Sequence, residues 1–174
     1  GDGGLELDRQ TIDLQKLDYG QFLLTVATCS MGKHCVIKTF TPFMSTHNDT
    51  ENASGFHTGL TFLYTLFFRE VYLFKPHTSR PLSGEYYVIG KNFMGISDNV
   101  LEKLLDIMDN FELNQCFFEK NVIPQTFISQ LYKFIDMITT HNKNAMEKLD
   151  FFFTCLVDKS QIKTELSCRD FIDK

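Results

Sequence analysis

Tryptophan is absent from this chain of 174 residues, and so are several patterns that would assign it to a special class of protein. No apolar run approaches the length of a membrane span, and the acidic, glycine-rich start is unlike a signal peptide. The five cysteines include no Cys-x-x-Cys pair, and the histidines do not cluster with cysteines or acids at ligand spacing, so we assign no metal. We expect reduced, buried thiols, no membrane partner and a compartment of cytosolic type.

An excess of positive charge is also lacking. The chain has 17 basic and 22 acidic residues, which gives a net charge of −5. Residues 1–96 carry 8 basic and 9 acidic side chains, whereas residues 97–174 carry 9 and 13. Because an acidic protein is a poor general binder of nucleic acid, any contact with RNA must be local. The best candidate is the segment 71–92, where three cationic side chains face only Glu85.

What the chain does contain is enough apolar surface for a packed core, with 43% hydrophobic residues that include 18 phenylalanines. The apolar spacing predicts a helix over 18–31, ended by Gly32. The apolar face of this helix comprises Leu17, Phe22, Leu23, Val26 and Ala27. The continuous apolar run at 34–40 predicts a parallel strand that is buried on both sides.

A second helix and two more strands follow. We expect a helix over 56–68, a strand over 70–74 and a third strand over 86–92 that returns antiparallel to the second. This alternation of helices and strands predicts an α/β protein with an open, twisted sheet. In such a sheet the chemistry is expected at the carboxyl ends of the parallel strands, which is where Lys38 and Lys75 fall.

Residues 94–174 have a helical character. A helix capped at Ser97 should continue to about 111, and a second should run over 124–141 with Pro124 in its first turn. Residues 145–157 could form a third helix or a strand, and residues 160–172 a short amphipathic helix. We see no chemistry in this half, so we expect it to cover the edge of the sheet or to dock a partner.

Two residues suggest chemistry by their position. Lys38 interrupts an otherwise apolar strand end, and a lysine held between carboxylates can orient a hydroxyl group and accept or share its proton. Such a lysine can equally extend into solvent with no role at all. Glu85 opens the last strand and is either a partner for that lysine or an exposed edge carboxylate.

The turn before Glu85 is a candidate phosphate site. Arg80 lies between Ser79 and Pro81, and a guanidinium on a rigid turn can bind phosphate oxygens with two hydrogen bonds. Lys75 offers a second cation. For both residues the alternative is an ordinary surface ion pair.

Three segments, taken in order, resemble the second half of an FtsJ-like ribose 2′-O-methyltransferase. They are the Asp-Gly-Gly at 2–4, the Lys-Thr-Phe at 38–40, and the Phe-Lys-Pro-x-Thr-Ser-Arg-Pro segment that leads from Phe74 to Tyr87. The resemblance covers residues 1–93 and looks closest to the mRNA cap-1 enzymes of eukaryotes and large DNA viruses. Its last motif is the most specific of the three.

The resemblance implies a fold and a division of the chain. Residues 1–93 would form the C-terminal half of a Rossmann-like, S-adenosylmethionine-dependent methyltransferase sheet, and residues 94–174 a helical extension. The family's first catalytic lysine and its glycine-rich cofactor loop have no counterpart here. We therefore expect a longer polypeptide, with an N-terminal half as partner, and no activity from these residues alone.

The resemblance also implies the site. The last three members of the family's Lys-Asp-Lys-Glu tetrad correspond to Asp2, Lys38 and Glu85, with Asp2 also near the cofactor S-adenosylmethionine. The RNA path would include Thr39, Lys75, Ser79 and Arg80. Capped RNA would be the substrate, in the cytoplasm or in a virion.

Two other functions fit the same residues. The chain could be an inactive module with a methyltransferase fold that docks RNA or protein. It could also be an assembly domain built on the acidic helical half. Methyl transfer by the complete protein would separate the first reading from both alternatives.

Overall fold

The computed structural model describes residues 14–40, 55–80, 83–119 and 121–157. These residues form four helices and three strands. In chain order they are α1 (Gln15–Thr28), β1 (Cys35–Phe40), α2 (Phe56–Phe67), β2 (Phe68–Phe74), β3 (Glu85–Phe93), α3 (Asp98–Asp109) and α4 (Gln125–Val157). The expected mixture of helices and strands is confirmed.

The last of the described strands is the central strand of the sheet. The order is β1-β3-β2, and β3 is antiparallel to both neighbours, so β1 and β2 run in the same direction on its two sides. Phe40 pairs with Glu85, and Phe74 pairs with Tyr87. The ends of β1 and β2 and the start of β3 therefore meet at one edge. The predicted antiparallel return of the third strand onto the second is confirmed.

The prediction of a parallel β1 buried on both sides is wrong. β1 pairs antiparallel with β3, and its side chains alternate between solvent and core. Val36 is 63% exposed, whereas Thr39 is buried. The apolar run Cys-Val-Ile misled the prediction because an edge region of a sheet tolerates an exposed valine.

The helices α1 and α2 pack on one face of the sheet, which we call the back face. The core there is aromatic: the ring of Phe22 contacts the rings of Tyr64 and Phe67, with centroids 5.0 and 5.8 Å apart. The hydroxyl of Tyr19 donates to the carbonyl of Leu104 at 2.8 Å, which joins α1 to α3. Burial of these apolar rings stabilises this half of the described chain.

The buried face of α1 differs from the predicted one. Leu17 is 57% exposed and Ala27 is also exposed, while the polar Asp18 is buried. The helix ends at Thr28, and Gly32 does not cap it as predicted. Instead Gly32 has φ +74° in the turn before β1 and donates its N–H to the carbonyl of Phe93 at 2.8 Å.

Gly90 marks a close approach on the back face of β3. A Cβ atom at this position would lie 2.7 Å from the ring of Phe68 and 2.9 Å from the sulfur of Cys35. Any other residue would push these neighbours apart. The absence of a side chain is therefore a packing requirement here.

The second half of the described chain is helical, as predicted, but α4 is one continuous helix over Gln125–Val157 rather than two elements. Residues 142–144 between the two predicted segments carry neither proline nor glycine, so nothing breaks the backbone hydrogen bonds. The strand alternative for 145–157 is wrong, and the helix predicted at 160–172 lies outside the described residues. Across the described ranges, no helix has the length and apolarity that a membrane crossing requires.

Candidate active site

The side chains of Lys38 and Glu85 meet at the edge where β1 ends and β3 begins. Lys38 Nζ lies 2.9 Å from Glu85 Oε2, and the two side chains are 48% and 21% exposed. They reach each other because Lys38 pairs with Tyr87 and Phe40 pairs with Glu85, which makes the two side chains diagonal neighbours on one face. The structure thus brings these two residues together as predicted. Asp2 lies outside the described residues.

Tyr87 completes this pair and was missed by the sequence reasoning. Its hydroxyl donates to Glu85 Oε1 at 2.9 Å, so each oxygen of the carboxylate has its own donor. The signal was available, because alternate residues of a strand share a face, and this places residues 85 and 87 side by side. The unit at this edge is therefore a triad of Lys38, Glu85 and Tyr87.

The electrostatics of the triad favour its charged form. The hydrogen bond from Lys38 and then that from Tyr87 lower the pKa of Glu85. In turn the hydrogen bond to Glu85 raises the pKa of Lys38, while the nearby guanidinium of Arg80 opposes that effect. Lys38 is therefore an ammonium at neutral pH. One of its N–H groups donates to Glu85, and because the side chain is exposed the others can donate to an incoming oxygen.

The turn between β2 and β3 is held by Lys75. Its ammonium donates to the carbonyl of Glu85 at 3.0 Å, to the carbonyl of Ser83, and to Ser79 Oγ at 3.4 Å. These contacts use the three donors of the ammonium. Burial lowers the pKa of Lys75, against a smaller raising effect of Glu85. A phosphate oxygen at Lys75 would have to replace one of these contacts.

The remaining predicted RNA-binding residues divide between two faces of the sheet. Arg80 is exposed on the side of the triad, and the half-buried Ser79 lies in the same turn. Thr39 points the other way. It is 8% exposed, and its hydroxyl donates to Asp18 Oδ2 at 3.2 Å on the back face. The structure therefore does not bring Thr39 together with the others.

The triad lies on the face of the sheet opposite α1 and α2, which we call the front face. Exposed side chains from all three strands share it, and at its far end Lys91 Nζ lies 4.8 Å from the ring centroid of Tyr72. Lys91 pairs with Glu70 on β2. The front face thus carries a second lysine on β3, well separated from Glu85 along the strand.

Neither a metal nor the implied cofactor finds a complete site here. Within the described residues no three His, Cys, Asp or Glu side chains cluster to hold a metal ion. The back-face cavity near Thr39 measures about 10 Å³, far too small for a nucleoside. The sequence also has no complete Gly-x-Gly-x-x-Gly loop. The described residues therefore do not by themselves fit S-adenosylmethionine.

Comparison with known proteins identifies methyltransferases as the class to which this chain is similar, although no family model matches it. The chain is 32% identical to the cap-specific mRNA (nucleoside-2′-O-)-methyltransferase 1 of Mus musculus over an alignment 184 positions long. This alignment covers 96% of the chain and 20% of that protein. It is 28% identical to a probable methyltransferase of African swine fever virus over 144 residues, 80% of the chain and 30% of that protein.

A third relative is an uncharacterized protein of Acanthamoeba polyphaga mimivirus, 24% identical over the full chain and 22% of that protein. The chain thus spans about a fifth to three tenths of the length of these curated relatives. The resemblance to a eukaryotic cap methyltransferase and to a methyltransferase of a large DNA virus is confirmed by these homologues.

Proposed function

We propose that this chain supplies the substrate side of the active site of an RNA ribose 2′-O-methyltransferase that acts on capped mRNA. The observation that carries the proposal is the contact of 2.9 Å between Lys38 Nζ and Glu85 Oε2 at the edge of the sheet. The likeness to a cap-specific 2′-O-methyltransferase and to a viral methyltransferase supports it. Asp2, outside the described residues, is the third proposed member of the site.

In this proposal the sheet is one part of a larger Rossmann-like sheet. Two strands that run in the same direction, with an antiparallel strand between them, are compatible with such a sheet. Residues 1–93 form the methyltransferase part and residues 94–174 a helical extension. The N-terminal half of the same protein is the partner that holds the cofactor, so residues 1–174 alone transfer no methyl group.

The proposed role of Lys38 is to bind and orient the ribose 2′-hydroxyl. An ammonium fixed by a carboxylate can donate to the hydroxyl oxygen and favour the negative charge that develops on it. Glu85 holds the ammonium in place and Tyr87 holds Glu85. The methyl group would come from S-adenosylmethionine, which the described residues do not cradle. The contribution of this chain is therefore positioning and electrostatics.

The proposed RNA path runs along the turn between β2 and β3. Arg80 is the strongest candidate for a phosphate contact, because it is exposed and is close enough to Lys38 for its charge to lower the pKa of that lysine. Ser79 and Lys75 hold the turn through the hydrogen bond between them, and they could contact the RNA backbone only where the RNA lies against this turn. We place Thr39 behind the strand rather than on the path. The proposed place of action is the cytoplasm, or a virion if the protein is viral.

The test is methyl transfer to capped RNA by the complete protein that contains this chain. Lys38→Ala should abolish transfer while the circular dichroism spectrum and unfolding midpoint stay close to the wild type. The matched control is Lys91→Ala, which removes the same charge from the front face at the other end of β3 and should retain activity.

Full activity in Lys38→Ala would remove the proposal. RNA binding without methyl transfer by the complete wild-type protein would favour an inactive docking module instead. A stable oligomer with no RNA affinity would favour an assembly domain.

A further inference from the structure

A small cavity with a mostly apolar lining lies behind β1, on the face opposite Lys38. It measures about 10 Å³, and five residues bring polar groups to it: Asp18 from α1, Thr39 from β1, His57 and Thr61 from α2, and Tyr86 from β3. All five residues are buried. The polar side chains of four elements thus meet in a space whose volume fits one water molecule.

Most of the polar groups around this cavity have partners. Asp18 Oδ2 accepts from the Thr39 hydroxyl at 3.2 Å, and Asp18 Oδ1 accepts from the Gln21 amide at 3.3 Å. The Thr61 hydroxyl donates to the carbonyl of His57 at 2.7 Å. The exception is Nε2 of His57, which is buried and has no hydrogen-bond partner among the described residues, in a residue only 7% exposed. Leaving such a nitrogen unpaired would be costly.

We propose that Asp18, Thr39 and His57 hold one ordered water molecule in this cavity, and that the resulting network positions the end of β1 behind Lys38. The role toward Lys38 rests on the proposed function; the water site does not. The water would pair with Nε2 of His57 and with the oxygens of Asp18 or Thr39. A buried water normally makes two to four such hydrogen bonds, and the cavity offers that number of polar groups.

Burial disfavours the charged forms of the titratable groups around the cavity. The titratable groups that line it are Asp18 on α1, His57 and Tyr64 on α2, and Tyr86 on β3. Burial raises the pKa of Asp18 to about 6, against a smaller opposing effect of the Thr39 hydrogen bond. Burial lowers the pKa of His57 to about 4 and raises the pKa of both tyrosines. Between about pH 4 and pH 6 both Asp18 and His57 are therefore neutral in the folded protein.

The link to the front face is the geometry of a strand. Neighbouring residues point to opposite faces, so fixing the side chain of Thr39 fixes the direction in which Lys38 leaves the backbone. The described pairing of β1 with β3 ends one residue later, at Phe40. The hydrogen bond from Thr39 to Asp18 therefore fixes the position of the last residues of β1.

The first measurement is the position of the water. A high-resolution crystal structure of the complete protein should show one water within hydrogen-bond distance of His57 Nε2. A dry cavity would overturn the water site, whatever the enzyme does.

The second measurement compares Thr39→Val, which keeps the shape but removes the hydroxyl, with Thr39→Ser, which keeps the hydroxyl. Titration of the Glu85 carboxyl by ¹³C NMR should show a higher pKa in Thr39→Val than in the wild type, because Lys38 is no longer held against it. Thr39→Ser should restore the wild-type titration. An unchanged Glu85 titration in folded Thr39→Val would overturn the positioning role.

The kinetic arm depends on methyl transfer and separates the two proposals. Thr39→Val should lower kcat about tenfold, with KM for capped RNA changed by less than about twofold, because a misplaced catalytic group affects the reaction more than binding. If the wild-type protein transfers no methyl group, the proposed function fails. The water and the Glu85 titration then still decide this inference.

Discussion

Glu85 and Asp18 are two carboxylates on opposite sides of the same small sheet, and their environments shift them in opposite directions. Glu85 lies on the front face with a lysine 2.9 Å away, and this hydrogen bond lowers its pKa. Asp18 lies on the back face among apolar side chains, and burial raises its pKa to about 6. A partner of opposite charge keeps one carboxylate ionised, while desolvation favours the neutral form of the other.

The comparison teaches that the charged form of a carboxylate is favoured on one face and disfavoured on the other. On the front face an ion pair can act on a substrate because water and ligands reach it. On the back face neutral groups can be packed between helices without a large desolvation cost. The three remaining predictions break this contrast at different points, and we give them from the largest expected effect to the smallest.

Neutralising the front carboxylate should have the largest effect. In Glu85→Gln, Lys38 loses its charged partner, and methyl transfer by the complete protein should fall about a thousandfold, a loss of the size seen when an electrostatic group is removed from an active site. The unfolding midpoint should hardly change, because exposed ion pairs contribute little to stability. Steady-state transfer to capped RNA measures the first quantity and urea titration the second.

Glu70→Gln is the matched control for that experiment. Glu70 is an exposed carboxylate of β2 on the same face, where it accepts a hydrogen bond from the Tyr72 hydroxyl at 2.6 Å. Its activity should equal that of the wild type. Equal losses in both variants would mean that the general charge of the face, not the triad, sets the rate.

The two buried titratable groups should give opposite pH dependences of stability. The pKa of Asp18 in the folded state is raised from 3.8 to about 6, so the folded state binds more protons than the unfolded state in that window. The contribution of Asp18 to the free energy of unfolding therefore falls as pH rises through it. The pKa of His57 in the folded state is lowered from 6.5 to about 4, so the contribution of His57 to the free energy of unfolding falls as pH falls through that window. In the wild type the two effects should nearly cancel between about pH 4 and 6.

Single variants should reveal each effect. Asp18→Asn should be less stable at pH 4.5 than at pH 6.5, and His57→Gln should show the reverse, with changes of up to about 3 kcal/mol because each pKa unit corresponds to about 1.4 kcal/mol. Urea unfolding across this range measures both slopes. His141→Gln, at an exposed position of α4, is the control. Slopes of the same sign in the two variants would contradict the neutral network.

Adding one methyl group to the back face should have the smallest effect of the three. Gly90→Ala would place Cβ 2.7 Å from the ring of Phe68, and overpacking of this kind costs about 1–3 kcal/mol. Gly20→Ala is the opposite case, since in α1 its Cβ would make an ordinary contact of 3.5 Å with Met108 Cε. It should stabilise the protein by up to about 1 kcal/mol, because alanine favours a helix. Differential scanning calorimetry of the two variants measures the difference, and a stabilised Gly90→Ala would contradict the packing described.

The sequence predicted the helices and strands of the first half well because their apolar residues follow clear periods. The stripe formed by Leu60, Leu63, Tyr64 and Phe67 is buried in α2 as expected. The sequence could not predict the orientation of β1, since a short apolar run is compatible with either a parallel or an antiparallel strand. Nor could it foresee one continuous α4, because the polar segment between its two halves has no residue that decides the question.

The candidate site was predictable only in part, and for a physical reason. Lys38 and Glu85 were found because motifs in the right order resembled a known family. Tyr87 could have been found from strand alternation alone. The partnership of Asp18 with Thr39 could not, because it depends on how α1 packs against β1, and nothing in the local sequence specifies that contact.

The place of β3 in the middle of the sheet has a consequence for biosynthesis. β1 and β2 leave the ribosome first, yet each hydrogen-bonds only to β3 within the described sheet. The described pairing of either strand therefore cannot form until residues 85–93 have been translated and inserted between them. Until then the edge of each strand that later pairs with β3 lacks this partner, so a pause in translation before this point would lengthen the interval in which chaperones must shield these edges.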